Sequence, residues 1–226
     1  MRTLLFLFIT LTWTNVESQI LSVIDDPDGY TNIREGKGTN TKIIGRIYED
    51  EVFHHEGYGD NQWYEIYYSN NGEYLQGFVH KSRIVEIRSL PRIGIKTAIS
   101  NGRRISNDSI VFEITIKSFE KDKHDYKLQD NKWVIEIDDN RPWGVDGNYP
   151  KIEVHEISLS IKGKIVHIPA EAYKDAYEFD LTSLNMFQNK NGTIFITSNH
   201  SDGAGYYELV WMIKNQKYKG RYINGI

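Results

Sequence analysis

Ser198, His200 and Asp202 are spaced two apart, and on an extended segment their side chains would share one face, as a nucleophile, its base and an orienting acid require. The surrounding text, Ser198-Asn199-His200-Ser201-Asp202-Gly203-Ala204-Gly205, is dense in turn formers, and no G-x-S-x-G elbow occurs. It therefore reads as a turn between two strands. Asp138-Asp139-Asn140 with Asp146-Gly147-Asn148 offers oxygen ligands of the kind calcium takes, but the spacing departs from D-x-[DN]-x-[DN]-G, and such clusters also form plain turns. The seven His are scattered without H-E-x-x-H, and the neighbours His54 and His55 must point to opposite faces of a strand. The absence of Cys excludes thiol nucleophiles, thiolate metal sites and disulfides. None of the 31 acids has a context that nominates it for glycoside hydrolysis. No catalytic residue, metal ion or cofactor is expected.

The aromatic side chains are the stronger signal. Of 226 residues, five are Trp, fifteen Tyr and nine Phe, and Tyr30, Trp63, Tyr64, Tyr67, Tyr68, Tyr74 and Phe78 crowd into one stretch. Aromatic grooves hold peptides or sugars on small β-folds, so Tyr30, Trp63, Tyr64, Tyr67, Tyr74 and Phe78 are the candidate ligand-binding residues. A formal charge of −4 argues against nucleic acid as a partner.

The elements that must carry these residues are strands. Short runs at 20–24, 30–34, 43–48, 52–55, 63–68 and 75–80 alternate with turn clusters such as Asp25-Asp26-Pro27-Asp28-Gly29 and Asn70-Asn71-Gly72, the spacing of a small β-barrel. Ile33 falls on the core face, with Ile44, Ile47, Ile66 and Val79 as partners. Gly29, Gly45 and Gly77 mark sharp turns or bends, and Asn32 and Arg34 are expected to bond loop carbonyls. From Ile93 the strands lengthen. Ile110, Phe112, Ile114 and Ile116 alternate with Val111, Glu113, Thr115 and Lys117, and further strands fall at 133–137, 152–161, 165–168, 193–197, 206–213 and 218–223. The apolar parity changes between Val154 and Ile157, predicting a bulge. Lys162-Gly163 and Asn215-Gln216 read as hairpin turns, and 169–177 as one short helix with Tyr173 and Tyr177 on a common side. This predicts an all-β chain, a small barrel followed by a larger antiparallel β-sandwich.

Charge divides the chain near Ser89-Leu90-Pro91: residues 19–88 carry a net −5 and residues 89–226 a net +1. Ahead of both, Arg2, an apolar run from Leu4 to Trp13 and a polar end give residues 1–18 the order of a secretory signal peptide. That run is half the length of a membrane-spanning helix, and no Cys follows for lipid attachment. The domains expected are thus a signal peptide at 1–18, a barrel at 19–88 and a sandwich at 89–226, in a secreted or periplasmic protein.

Asp25 to Gly36 (DDPDGYTNIREG), Ile43 to Ile47 (IIGRI), Trp63 to Ile66 (WYEI) and Gly77 to Ile84 (GFVHKSRI) stand in an order and spacing that resembles the bacterial SH3 domain. The resemblance covers about 65 residues. Thr31, where the family usually has an aliphatic residue, and the long polar stretch 56–62 depart from the pattern. Residues 89–226 resemble no family. The resemblance implies an SH3-like barrel that binds cell-wall peptide or another envelope ligand, and hence an exported, non-enzymatic binding or scaffold protein. Two other readings stand beside it: an envelope hydrolase, if Asp138, Asp139, Asp146, His155 and His200 converge, and a secreted inhibitor or interaction partner that uses the acidic segment against a basic target.

Overall fold

The computed structural model describes residues 19–49, 51–57, 62–70, 73–200 and 203–225. The leader at 1–18, Asn71-Gly72, Asp202 and most of the polar stretch 56–62 lie outside the described residues.

The chain is all-β. A seven-stranded antiparallel sheet uses β1 (Ile20–Ile24), β2 (Tyr30–Arg34), β3 (Ile43–Tyr48), β4 (Phe53–Glu56), β5 (Trp63–Asn70), β6 (Glu73–His80) and β7 (Ile84–Glu86) in the order β3-β2-β6-β5-β4-β1-β7. Ile44 and Ile47 of edge strand β3 and Ile84 of edge strand β7 join one apolar cluster with Ile24, Ile33, Phe53, Ile66 and Val79. Edges that meet across a common core require the sheet to roll up on itself. Ile33 and its expected partners all lie here. At Gly77 a Cβ would stand 2.6 Å from Ile33 Cγ2 and 2.8 Å from the Arg34 carbonyl oxygen, so the close approach of β6 to β2 demands glycine.

The remaining strands are β8 (Ile95–Ile99), β9 (Gly102–Ser106), β10 (Ile110–Ser118), β11 (Tyr126–Gln129), β12 (Trp133–Ile137), β13 (Ile152–Ile161), β14 (Lys164–Ile165), β15 (Asn185–Gln188), β16 (Ile194–His200), β17 (Tyr207–Lys214) and β18 (Lys217–Gly225). They form a five-stranded sheet β14-β13-β10-β9-β8, a hairpin β11-β12 and a four-stranded sheet β15-β16-β17-β18. The expected bulge lies in β13: Thr115 faces Glu156, the next pair is Ile116 with Val154, and His155 is the extra residue. Lys162-Gly163 and Asn215-Gln216 make tight turns with positive φ. No α-helix occurs among the described residues; 169–177 holds a 3-10 turn at Ala170–Ala172 and a further turn closed by Ala176 N–H on the Tyr173 carbonyl (3.0 Å), after which backbone bridges pair Ala176 with Trp143 and Tyr177 with Glu153. No helix among the described residues is long and apolar enough to cross a membrane.

The four-stranded sheet is buried on both faces. Leu209, Trp211 and Ile213 of β17 pack toward the five-stranded sheet, with Phe112, Ile114 and Leu159. Val210 and Met212, with Phe187 and Phe195, pack the other way onto Leu21, Val23 and Val52 of the rolled sheet. The segment after β7 extends the edge of this sheet, because Ile93 N–H bonds the Met186 carbonyl (2.9 Å) and Gln188 N–H bonds the Pro91 carbonyl (3.0 Å). The break in charge at Ser89-Leu90-Pro91 is therefore stitched to the edge of β15.

A cavity on the rolled sheet as candidate functional site

Strand β2 alternates, burying Thr31 and Ile33 and turning Tyr30, Asn32 and Arg34 outward. The open ends of β2, β5 and β6 and the 3-10 turn Lys81–Arg83 enclose a cavity of about 370 Å³, lined among others by Asp26, Tyr30, Asn32, Trp63, His80 and Arg83. Its walls are fixed from behind. Arg34 Nη1 donates to the Thr41 carbonyl at 2.7 Å, and Thr41 Oγ1 donates to the carbonyls of Gly36 and Gly38, both at 2.8 Å, pinning the loop after β2. Arg34 thus bonds a loop carbonyl as expected from its position.

Three contacts set the chemistry inside. Asp26 pairs with Arg83 at 2.8 Å, so the cavity presents both charge signs side by side. Trp63 meets the His80 ring edge-on, with centroids 5.2 Å apart. His80 Nδ1 accepts from Ser82 N–H (3.3 Å) and lies 2.8 Å from Ser82 Oγ, which leaves the ring proton on Nε2. Asn32 Oδ1 is buried and, unlike Arg34, reaches no hydrogen-bond partner. An unmet acceptor costs about 1–3 kcal/mol, and a donor brought by a ligand would satisfy it. Arg46 covers the Tyr30 ring at 4.6 Å, holding it at the rim.

The six aromatic candidates divide among three places. Tyr30 and Trp63 line the cavity. Tyr67, Tyr74 and Phe78 share the outward face of β5 and β6 but lie away from it: Tyr67 donates to Glu56 at 2.7 Å and sits 6.3 Å from Tyr74, while Lys37 lies 5.5 Å over Phe78. The Glu56 carboxylate, followed by burial, pushes the Tyr67 hydroxyl upward in pKa. Tyr64 points to the opposite side and stacks on buried His55, with ring centroids 4.7 Å apart. Its odd placement follows from strand parity, since Tyr64 alternates with Trp63 and aligns with core residue Ile66. Asp26, His80 and Arg83 were absent from the aromatic set. The sequence held a signal for them, because Asp26 sits in the turn before β2, and His80 and Arg83 fall in the run that ends the SH3-like pattern.

The catalytic alternatives can be read from geometry. Ser198 and His200 belong to β16, so the strand runs further than the expected turn allowed. Ser198 Oγ is 2.7 Å from His200 Nε2, while His200 Nδ1 accepts from Asp180 N–H at 2.8 Å. The proton therefore sits on Nε2 and points at the hydroxyl, the reverse of a base poised to take the serine proton. Burial pushes the His200 pKa down to about 3, against the opposing field of Asp180. Asp138 and Asp139 adopt positive φ in a turn. Burial alone would raise the Asp138 carboxyl, but bonds from His124 (2.7 Å) and Asp125 N–H (3.0 Å) hold it below the usual range. Among the described residues no group of three acids or His is arranged to hold a metal. His155 is exposed on β13 and His200 is in the core, so these two do not converge.

No family model matches the chain, and no curated protein or solved structure matches it.

Proposed function

We propose that this is an exported, non-enzymatic binding protein whose rolled N-terminal sheet acts as an SH3-like module for cell-wall peptide or a peptide segment of an envelope protein. The observation that carries the reading is the buried, unmet Asn32 carbonyl in a cavity that also holds Trp63 and the Asp26–Arg83 pair. A peptide supplies a backbone N–H for Asn32 and an apolar or aliphatic portion for Trp63, and its carboxylate can approach the Arg83 side chain, which stays 44% exposed while paired with Asp26. The resemblance of residues 20–88 to bacterial SH3 domains and the leader-like residues 1–18 agree with such a partner.

The test is retention of residues 19–226 on purified sacculi. Trp63→Ala should lower retention at least tenfold, while Tyr74→Ala, altering a residue 65% exposed on the same sheet but outside the cavity, should not. Equal retention of all three proteins, each shown to be folded, would remove the proposal.

A further inference from the structure

The open end of the two C-terminal sheets holds the most spacious of the described cavities, about 530 Å³, within the range of about 300–1,000 Å³ typical of small-molecule sites. Its floor is the end of the core. Ile110, Ile161, Ile194 and Ile213 rise into it from β10, β13, β16 and β17, one strand each. Its rim comes from the end of β15, from the turns that precede β10 and β16 and from those that follow β13 and β17, and is dominated by carboxamides: Asn107, Gln188, Asn191, Asn215 and Gln216, with one acid, Asp108, and one base, Lys162.

The rim is preorganised. Asn107 Oδ1 accepts from the N–H groups of Ser109 (2.9 Å) and Ile110 (2.8 Å), which leaves its Nδ2 to donate elsewhere. Asn189 Oδ1 accepts from Asn191 N–H (3.1 Å) and Thr193 N–H (2.9 Å), fixing the loop that carries Asn191. Asn191 Nδ2 reaches Glu49 at 3.0 Å, tying this wall to the rolled sheet. Asn215 and Gln216 form the tight turn at positive φ.

We infer that this cavity binds a neutral oligosaccharide. A carboxamide presents a donor and an acceptor side by side, as a sugar hydroxyl does, so an amide rim matches a ligand rich in hydroxyls. One acid and one base leave no net charge to select an ion. The isoleucine floor suits the C–H face of a sugar ring or the methyl of an acetamido group. The site is separate from the Trp63 cavity and does not depend on it; together they would let one chain hold a glycan and a peptide of the same polymer.

The experiment uses residues 19–226 and the N-acetylglucosamine trimer as probe, read by calorimetry and by side-chain amide resonances in a ¹⁵N spectrum. Saturable binding with shifts at Asn107, Asn191 and Gln216 is expected. Asn107→Asp keeps the acceptor that pins the turn but removes the free donor, and with Gln216→Asn it should weaken binding about tenfold, or about 1.4 kcal/mol, without lowering Tm. Trp63→Ala should leave this binding unchanged. Absence of shifts at millimolar trimer, or binding that the double variant retains in full, would overturn the inference.

Discussion

Two imidazoles show how strongly one side chain can make stability depend on pH. His55 and His200 are both buried in the folded protein. Burial lowers His55 to about 4, partly opposed by the Glu56 backbone, and lowers His200 to about 3. In the unfolded chain both titrate near 6.5, so below that pH the unfolded state binds more protons and gains in proportion. Their contribution is complete above pH 6.5. It declines as the pH falls, until about 4 for His55 and about 3 for His200, at about 1.4 kcal/mol per pH unit for each proton. Urea titrations from pH 7 to 4.5 should therefore show steep loss of stability. His55→Phe should reduce that slope by about half, with little loss at pH 7, because neither ring nitrogen of His55 has a good hydrogen-bond partner to forfeit. An unchanged slope would place the acid sensitivity elsewhere. None of this is visible in the residue text: His54-His55 shows only that the two rings diverge, and burial of both required a second layer on the far side of β4.

Strand by strand, the sequence was most legible where one face is wet. Alternation in β2 and in 110–116 placed Ile33, Phe112 and Ile114 correctly, and the parity change in β13 located its bulge. Strands β9 and β15 carried no such pattern, because Arg103 and Arg104 are adjacent in one and Met186 and Phe187 in the other, and hydrogen bonding to neighbours holds them in place. The short helix expected at 169–177 gives way to bridges with Trp143 and Glu153, tertiary pairing overriding a weak local preference. Glycine offers a test at this scale. Gly77→Ala puts a methyl against the fixed Arg34 carbonyl and the core residue Ile33, and should cost about 1–3 kcal/mol. Gly163→Ala meets nothing within 4 Å and bears only the strain of a positive φ, about 1–2 kcal/mol. A Gly77→Ala variant that chemical denaturation finds as stable as the parent would contradict the described approach of β6 to β2.

For the molecule as a whole, the middle sheet decides behaviour. From Leu209 to Ile213 its β17 reads as an unbroken apolar run with no period, since both faces are covered. Only the fold showed that the second cover is the N-terminal unit. A buried polar bond across that junction is made by His54, which is 2% exposed. Its Nε2 donates to Glu208 (2.8 Å) and its Nδ1 accepts from the Tyr222 hydroxyl (2.7 Å). Asn199 adds a bond to Glu208 at 3.2 Å, and Arg88 lies at 3.6 Å. His54→Leu leaves a buried carboxylate without its main donor and should cost about 3–5 kcal/mol. Phe195→Ala, emptying the apolar part of the same junction, should cost about 3–5 kcal/mol. Because both units share that layer, calorimetry should show one unfolding transition for residues 19–226, and each variant should move it as a whole; two separate transitions would mean that the junction does not couple the units.

The proposed binding cavity was only partly legible in the sequence. The aromatic crowding falls on the sheet that bears the cavity, but parity and register divide Tyr30 and Trp63 from Tyr64, Tyr67, Tyr74 and Phe78, and polar groups from a turn complete the cavity. The account therefore stands or falls on whether ligand reaches Trp63. Its indole N–H resonance, distinguishable from those of Trp133, Trp143 and Trp211, can be followed while soluble wall peptides are added to residues 19–226. A saturating shift of Trp63, lost on charge reversal of Arg83 to Glu in a folded variant, is the predicted result. Saturable binding that moves other resonances and leaves Trp63 and its neighbours still would contradict the account.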